Sequence, residues 1–231
     1  MVHPTLQTVL NLPTNRLGRD FVVGDVCGEF ELLFRQMSVL GFDHTKDRMF
    51  CVGHLIASSW SMSQCIRFVR HPGVYALRTN IEQQLLDLFE EGEPDEAYLA
   101  DVALAFGEAG AWLAESSRAQ RAQVVDAMRM LPLAIGIGDR QPEVGLVHGS
   151  LPLGMAWREF TSRLVKGDEE TISAALWGNQ EIPNEPFVGV NEVFVCYTPG
   201  WAVGYERVNI RQVMPGTAPH LLRPASVDPV K

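Results

Sequence analysis

The sequence predicts an α/β fold in which strands alternate with helices. Short apolar runs at 21–23, 49–52 and 74–77 each end in a polar loop, and helically spaced apolar residues follow each loop. Strands that alternate with helices in this way are typical of parallel pairing. The chain has 231 residues, of which 46% are hydrophobic and 20% charged, and this composition suits a globular core of that class.

The remaining segments extend the same architecture. We predict three helices after the first three strands, at 29–40, 63–70 and 81–89. A long helical tract over 97–130 is interpreted as an insert packed on the same core. Strand character then returns in three later segments, at 133–137, 144–147 and 193–195. We predict a single domain over 1–231, with a core at roughly 19–215 and a loosely packed, proline-containing tail at 216–231.

Charge and composition exclude several classes of partner. The net charge is −9, which argues against binding to a nucleic-acid backbone, because phosphate contacts need clustered Lys and Arg. No apolar stretch approaches the ~18 residues of a membrane span. The first residues lack the pattern of a signal peptide, and the four cysteines form no CxxC pair. We therefore predict a cytoplasmic protein that binds neither nucleic acid nor membrane, and the net charge permits a basic protein partner.

Polar residues gather in the loops that follow the predicted strands. The first three loops read GDVCG at 24–28, GHLIASS at 53–59 and RTNIE at 78–82. Three more motifs follow in order, VHGSLP at 147–152, LWGN at 176–179 and CYTP at 196–199. The carboxyl ends of parallel strands lie at one edge of a sheet, where ligands bind. These loops are therefore expected to form one site.

In order and spacing, these six motifs resemble the signatures of bacterial and phage-type Ser/Thr protein phosphatases, which are calcineurin-like metallophosphoesterases. The resemblance covers roughly residues 19–200. It implies a β-sandwich flanked by helices, in the layer order α/β/β/α, with 97–130 as a helical insert. It also implies hydrolysis of phosphoric esters by two divalent metal ions that activate water for in-line attack.

The resemblance identifies six metal-site positions in this chain. Three of them keep the expected ligand type, Asp25, Asn80 and His148. Cys27 and Tyr197 stand where His is expected, and His54 stands where an Asp should bridge both metals. A carboxylate can place oxygen on two metals ~3.5–4 Å apart, whereas a neutral imidazole has one lone pair. We therefore expect no dinuclear centre and no cofactor.

The groups that would handle substrate have also changed. Ile81 stands at the position of the general acid, and an aliphatic side chain cannot protonate a leaving alkoxide. Ser58 and Asn179 stand where arginines grip the phosphate, so bidentate charge-assisted hydrogen bonds are lost. Arg78 alone among these groups keeps the expected identity. We therefore expect no catalytic residue, and regard Ser58, Arg78 and Asn179 as vestigial phosphate-site positions.

Two other interpretations of these residues remain open. Asp25 and Asn80 can cap their loops through side-chain hydrogen bonds, as Asp and Asn readily do. A single Zn or Mn ion can instead occupy a rearranged site, because two thiols and two imidazoles suit tetrahedral zinc. The residues for such a mononuclear zinc site are Cys27, His54, His148 and Cys196.

The changed residues favour one function over another. The favoured function is a catalytically impaired pseudophosphatase that acts by binding another protein, as a regulator, a decoy or an immunity-type inhibitor. The alternative is an active phosphoesterase, or protein phosphatase, with a rearranged mononuclear metal site. Metal content and turnover of an aryl phosphate distinguish the two.

Overall fold

Two β-sheets lie face to face between outer layers of helices. The structure is a computed structural model that describes residues 7–56, 62–107, 110–178, 185–196, 206–207, 210–213 and 219–222. The layer order is α/β/β/α, as the resemblance implies.

The first sheet carries the predicted parallel strands. Within the described residues it has four strands, β2 (Asp20–Val23), β3 (Arg48–Cys51), β4 (Val74–Ala76) and β10 (His220–Leu222). Their spatial order is β10-β2-β3-β4. The pairs β2–β3 and β3–β4 are parallel, and β10 is antiparallel to β2. Each of the parallel strands is followed by a helix, α1 (Phe30–Val39), α2 (Met62–Val69) and α3 (Asn80–Leu88), respectively.

The second sheet combines β1, near the start of the chain, with strands from its second half. Its described strands, in spatial order, are β1 (Val9–Leu12), β5 (Ala134–Ile137), β6 (Val144–Val147), β7 (Glu192–Val195), β9 (Ile210–Gln212) and β8 (Glu206–Arg207). Strand β6 runs parallel to β7, so both end at the same edge. Two helices lie between them in the chain and pack on the outer face, α7 (Trp157–Val165) and α8 (Glu169–Trp177).

Alternate side chains of the first sheet face different layers. Phe21 and Val23 pack with the helices on the outer face, whereas Val22 packs between the sheets. From the second sheet, Ile135 and Phe194 join Val22 in this central layer. Side chains alternate along a strand, and here both faces are buried. This explains why the strands read as continuous apolar runs.

The insert consists of three helices rather than one long helix. They are α4 (Glu96–Phe106), α5 (Ala111–Glu115) and α6 (Arg118–Arg129). Helix α4 ends at Gly107, whose φ of 60° suits glycine, and α6 begins with a capping box between Ser117 and Gln120. Leu99, Trp112 and Met128 belong to the core cluster of the first sheet. The insert therefore packs on the predicted core.

Two short edge strands lie outside the predicted core boundaries. Strand β1 precedes residue 19 and pairs with β5, and β10 lies within the segment 216–231 that we predicted to be loosely packed. Residues 214–218 and 223–231 lie outside the described residues. Strands of three or four residues are too short to show a period in the sequence, so β1 and β10 were not visible in it. A single domain remains our proposal, and the shared central layer between the sheets supports it.

Candidate functional site

Four of the predicted site residues meet at one edge of the sandwich. Asp25 follows β2, His54 follows β3 and His148 follows β6, while Asn80 is the first residue of α3. The ligand atoms of Asp25, His54 and His148 all lie within 4.8 Å of one another. The rings of His54 and His148 pack edge to face, with centroids 4.8 Å apart. The sequence therefore predicted correctly that these strand ends converge.

The first and second loops are fastened together by backbone hydrogen bonds. The amides of Val26 and Cys27 both donate to His54 O at 2.9 Å, and Gly28 N donates to Leu55 O at 3.1 Å. Gly53 permits this approach, because a Cβ at that position would lie 2.1 Å from Asp25 Oδ1. Any larger residue at 53 would push Asp25 and His54 apart.

Glu82 connects the second loop to α3, a role that sequence reasoning missed. Its side chain is fully buried, and Oε1 accepts hydrogen bonds from Leu55 N at 3.0 Å and Ile56 N at 3.3 Å. The Thr79 hydroxyl donates to Oε2 of the same carboxylate. The pattern Thr-x-x-Glu at a helix start is the signal that could have identified Glu82, although Glu82 here reaches the neighbouring loop.

Replacing Glu82 by Ala should lower the free energy of unfolding by about 3 kcal/mol, because two buried backbone amides lose their acceptor. Glu82→Gln should cost less, since the amide oxygen can still accept. Urea unfolding measures both effects. Glu91→Ala removes an exposed acid just after α3 and should change stability by less than about 0.5 kcal/mol. Equal stability of Glu82→Ala and Glu91→Ala would contradict the role assigned to Glu82.

Asp25 and His54 form a partly buried ion pair. Asp25 Oδ1 lies 3.3 Å from His54 Nδ1 and accepts hydrogen bonds from His54 N at 2.8 Å and the Cys196 thiol at 3.0 Å. Burial opposes ionisation of Asp25, but these hydrogen bonds and the His54 charge outweigh it and lower its pKa to about 2. Burial also opposes protonation of His54, but the charge and hydrogen bond of Asp25, with hydrogen bonds to Cys27 and Asn80, outweigh it and raise the His54 pKa to about 11.

His148 is the neutral member of the cluster. Its burial, together with the charge of His54, lowers the His148 pKa to about 4. Nδ1 lies 2.8 Å from Val52 O, which can only accept, so the ring proton is on Nδ1 and Nε2 keeps its lone pair. That lone pair faces Asn80 Oδ1 at 3.1 Å, and the same oxygen lies 2.8 Å from His54 Nε2.

The orientation of the Asn80 side-chain amide depends on whether His54 is protonated, because the amide contacts both imidazoles. With His54 protonated, its Nε2–H donates to Asn80 Oδ1, and this leaves two acceptors, Asn80 Oδ1 and His148 Nε2, facing each other. With His54 neutral and the Asn80 amide reversed, the amide NH₂ can donate to both imidazoles. A cation beside Asn80 would also satisfy the two facing acceptors. The cluster can therefore be neutral, protonated or bound to metal.

The remaining predicted positions are less closely gathered. Cys27 is exposed at the rim, with a left-handed φ of 45°. The Arg78 guanidinium donates from Nη1 to Gln83 Oε1 at 3.1 Å, while its buried Nε has no partner among the described residues. Burial lowers the Arg78 pKa from its ordinary value. Three predicted positions lie outside the described residues, Ser58, Asn179 and Tyr197.

The donor set in the structure fits one metal ion better than two. Asp25, His54 and His148 offer one carboxylate and two imidazoles, a set that zinc and other transition metals accept. His54 supplies no carboxylate to bridge a second ion. The gathered set differs from the mononuclear zinc set predicted from sequence, because Asp25 takes part and neither cysteine belongs to it. Cys196 is instead a hydrogen-bond donor to Asp25.

Similarity to known proteins is visible in structure rather than in sequence. No protein-family model matches the chain, and no curated protein matches it significantly. A protein serine/threonine phosphatase from Saccharomyces cerevisiae with similarity to human phosphatase PP5 superposes with a TM-score of 0.59 and 15% identity, over 90% of this chain and 71% of that one. A putative diadenosine tetraphosphatase matches with a TM-score of 0.48 and 24% identity, over 66% of this chain and 59% of that one.

The fold is therefore similar to that of the yeast serine/threonine phosphatase. The two-sheet sandwich with a helical insert, which the sequence predicted, is confirmed. An identity of 15% shows the fold alone, so activity must be argued from the site. No helix in the described part of the chain is long and apolar enough to cross a membrane.

Proposed function

We propose that this protein is a pseudophosphatase, a metallophosphoesterase scaffold that binds rather than hydrolyses. The observation that carries the proposal is the environment of His54, which stands where the resemblance expects the bridging Asp. Its Nδ1 faces Asp25 and its Nε2 faces Asn80, so its charge and hydrogen bonds are directed at the groups that would otherwise hold metal. A protonated imidazole between them repels a dication.

The groups around His54 support the same conclusion. Ile81 lines the wall beside His54 and cannot act as an acid. Arg78 is the remaining cation at a phosphate-site position, and it is half-buried with a neutral partner, Gln83. A phosphate trap would need charged groups that reach the phosphate in fork geometry. Recognition of a protein surface does not need any of these groups.

The proposed partner is another protein, with this chain as a regulator, a decoy or an immunity-type inhibitor. Large apolar side chains exposed on the helices support protein contact, including Leu104 and Phe106 on α4 and Trp177 on α8. Cys27, Cys51, Cys65 and Cys196 form no disulfide, and the last three are buried, which suits the reducing cytoplasm that we propose as the location.

A second candidate function rests on the gathered donor set. Asp25, His54 and His148 would hold a single Zn or Mn ion once His54 lost its proton. Such an ion would polarise a phosphoryl oxygen and supply hydroxide at neutral pH. In that case Asp25 and the two imidazoles orient the ion, and the protein is an active phosphoesterase with a mononuclear site.

Turnover and metal content of the purified protein separate the two functions. The pseudophosphatase should contain less than one equivalent of transition metal by mass spectrometry and should not hydrolyse p-nitrophenyl phosphate above background in Mn²⁺. Turnover that disappears in His148→Ala and persists in His44→Ala, a histidine exposed far from the site, would establish the second function instead. Binding of one metal without turnover would leave the pseudophosphatase proposal intact and correct its metal content.

A further inference from the structure

A cavity with a volume of about 580 Å³ lies beside the site. Two other cavities among the described residues have volumes of about 280 and 300 Å³ and lie away from Asp25 and His54. The large cavity, which we call the insert pocket, lies between α3 of the common core and α4 and α5 of the helical insert.

The walls of the insert pocket are apolar stripes on two helices. One stripe consists of Tyr98, Val102 and Phe106, which are spaced four residues apart and therefore share one face of α4. The facing wall comes from α3 and includes Ile81 and Leu85. These walls are built by helices that pack together with the first sheet, so the pocket has a rigid support.

The floor of the insert pocket is buried and aromatic. Trp112 and Leu113 of α5 are only 2% and 4% exposed, although both line the cavity. Ile56, from the second loop, is also buried and lies between this floor and the site. The pocket is thus a half-open apolar cleft bounded by three helices and a loop, and small-molecule sites are commonly concave and apolar in this way.

The mouth of the pocket meets the site at Cys27, His54 and Ile81. Position 81 lies one helical turn before Leu85 on the same face of α3. An ionisable side chain at this position would therefore interrupt the apolar wall. Ile81 instead continues the apolar wall as far as His54. The same residue that removes an acid from the site therefore extends the pocket toward it.

We propose that the insert pocket binds an uncharged, largely apolar small molecule, with its body between α3 and α4 and its polar end toward Cys27 and His54. The inference is independent of whether the site is catalytic. A cavity of about 150 Å³ holds benzene, so 580 Å³ has room for about three or four fused or linked rings. A single aromatic side chain of a partner protein would leave most of this volume unfilled.

An uncharged ligand fits the charges around the pocket. Among the described lining residues, Asp87 is an exposed acid, and the protein carries a net charge of −9. Both disfavour an anionic amphiphile. The described wall residues Ile81, Leu85, Val102 and Trp112 present apolar surface, which disfavours a cation.

The test uses N-phenyl-1-naphthylamine, an uncharged polyaromatic fluorophore that brightens in apolar surroundings. The unmodified protein should bind it saturably, at about one equivalent. Ile81→Trp and Val102→Trp fill the pocket and should each weaken binding about tenfold or more, which is about 1.4 kcal/mol. Leu104→Trp adds the same side chain to α4 at a position that is 83% exposed and does not line the pocket, so it should change binding by less than about twofold.

A second measurement requires no pocket variant. Cys27 is the exposed cysteine at the mouth, whereas Cys51, Cys65 and Cys196 are buried. Labelling of Cys27 by a maleimide should slow when the fluorophore is bound, with Cys27→Ser as the unlabelled control. Non-saturable fluorescence, unchanged labelling of Cys27, or equal weakening by Ile81→Trp and Leu104→Trp would overturn the proposal.

Discussion

Restoring the three missing metal-site side chains should restore metal binding before it restores catalysis. The variant that combines His54→Asp, Cys27→His and Tyr197→His supplies a bridging carboxylate and completes the set begun by Asp25, Asn80 and His148. We expect it to bind two equivalents of Mn²⁺, measured by calorimetry. His54→Asp alone should not suffice, since the first metal would still face Cys27 and the second would lack an imidazole.

Catalysis should return only when the substrate groups are restored as well. Adding Ile81→His, Ala57→Asp and Ser58→Arg to the metal-binding variant should raise turnover of p-nitrophenyl phosphate by about 10²–10⁴-fold, the usual contribution of a positioned general acid. The effects should be strongly non-additive, because these groups act as one unit. The matched control carries the three substrate-group changes with His54 retained, and we expect it to be inactive.

One result would contradict the pseudophosphatase reading of the site. If the unmodified protein already hydrolyses phosphate, and His54→Ala or Cys27→Ala abolishes that activity, a rearranged mononuclear site must replace it. The restored variant could also fail to bind metal while it remains folded by circular dichroism. That result would show that the backbone around Gly53 does not position the restored side chains for two metal ions.

Asp25→Asn should lower the pKa of His54 well below about 11. Burial lowers that pKa, and Asp25 supplies a charge and a hydrogen bond that raise it, alongside the hydrogen bonds to Cys27 and Asn80 that the variant keeps. The His148 pKa, about 4 in the unmodified protein, should rise when His54 becomes neutral, because the His54 charge helps to depress it. NMR of the imidazole Cε1–H protons across a pH titration measures both values.

The shifted pKa values of His54 and His148 make the stability of the protein depend on pH. The raised His54 pKa gives stability that is complete below pH 6.5 and is lost as pH rises through about 11. The depressed pKa of His148 acts oppositely, so its contribution is present above pH 6.5 and is lost as pH falls through about 4. Asp25 and His54 share one interaction, so its stabilisation is counted once.

A distant carboxylate provides the control for this titration. Asp139 is exposed and pairs with Arg16, and Asp139→Asn should leave the His54 and His148 titrations unchanged. An Asp25→Asn variant whose His54 still titrates near pH 11 would show that Asp25 is not the cause of the raised pKa. Both variants should also be compared by urea unfolding at pH 8, where the Asp25→Asn protein should be the less stable.

The sequence by itself determined the fold, and it led to a prediction of the site residues. The apolar runs of β2, β3 and β4 are continuous because both sheet faces are buried, and this made them visible without coordinates. Their ordered loop motifs placed Asp25, His54, Asn80 and His148 at one edge. Helix α7 is also visible in the sequence, since Trp157, Phe160 and Leu164 follow helical spacing.

Only the tertiary structure decided how these residues interact. The bonds from Asp25 to His54, from Glu82 to the second loop and from Asn80 to both imidazoles join segments that lie 26 to 68 residues apart. Distances across such separations depend on strand register and helix packing, which no local pattern encodes. The insert pocket depends further on how α4 crosses α3. The sequence could therefore name the residues, while packing decided their charges, their hydrogen bonds and the cavity beside them.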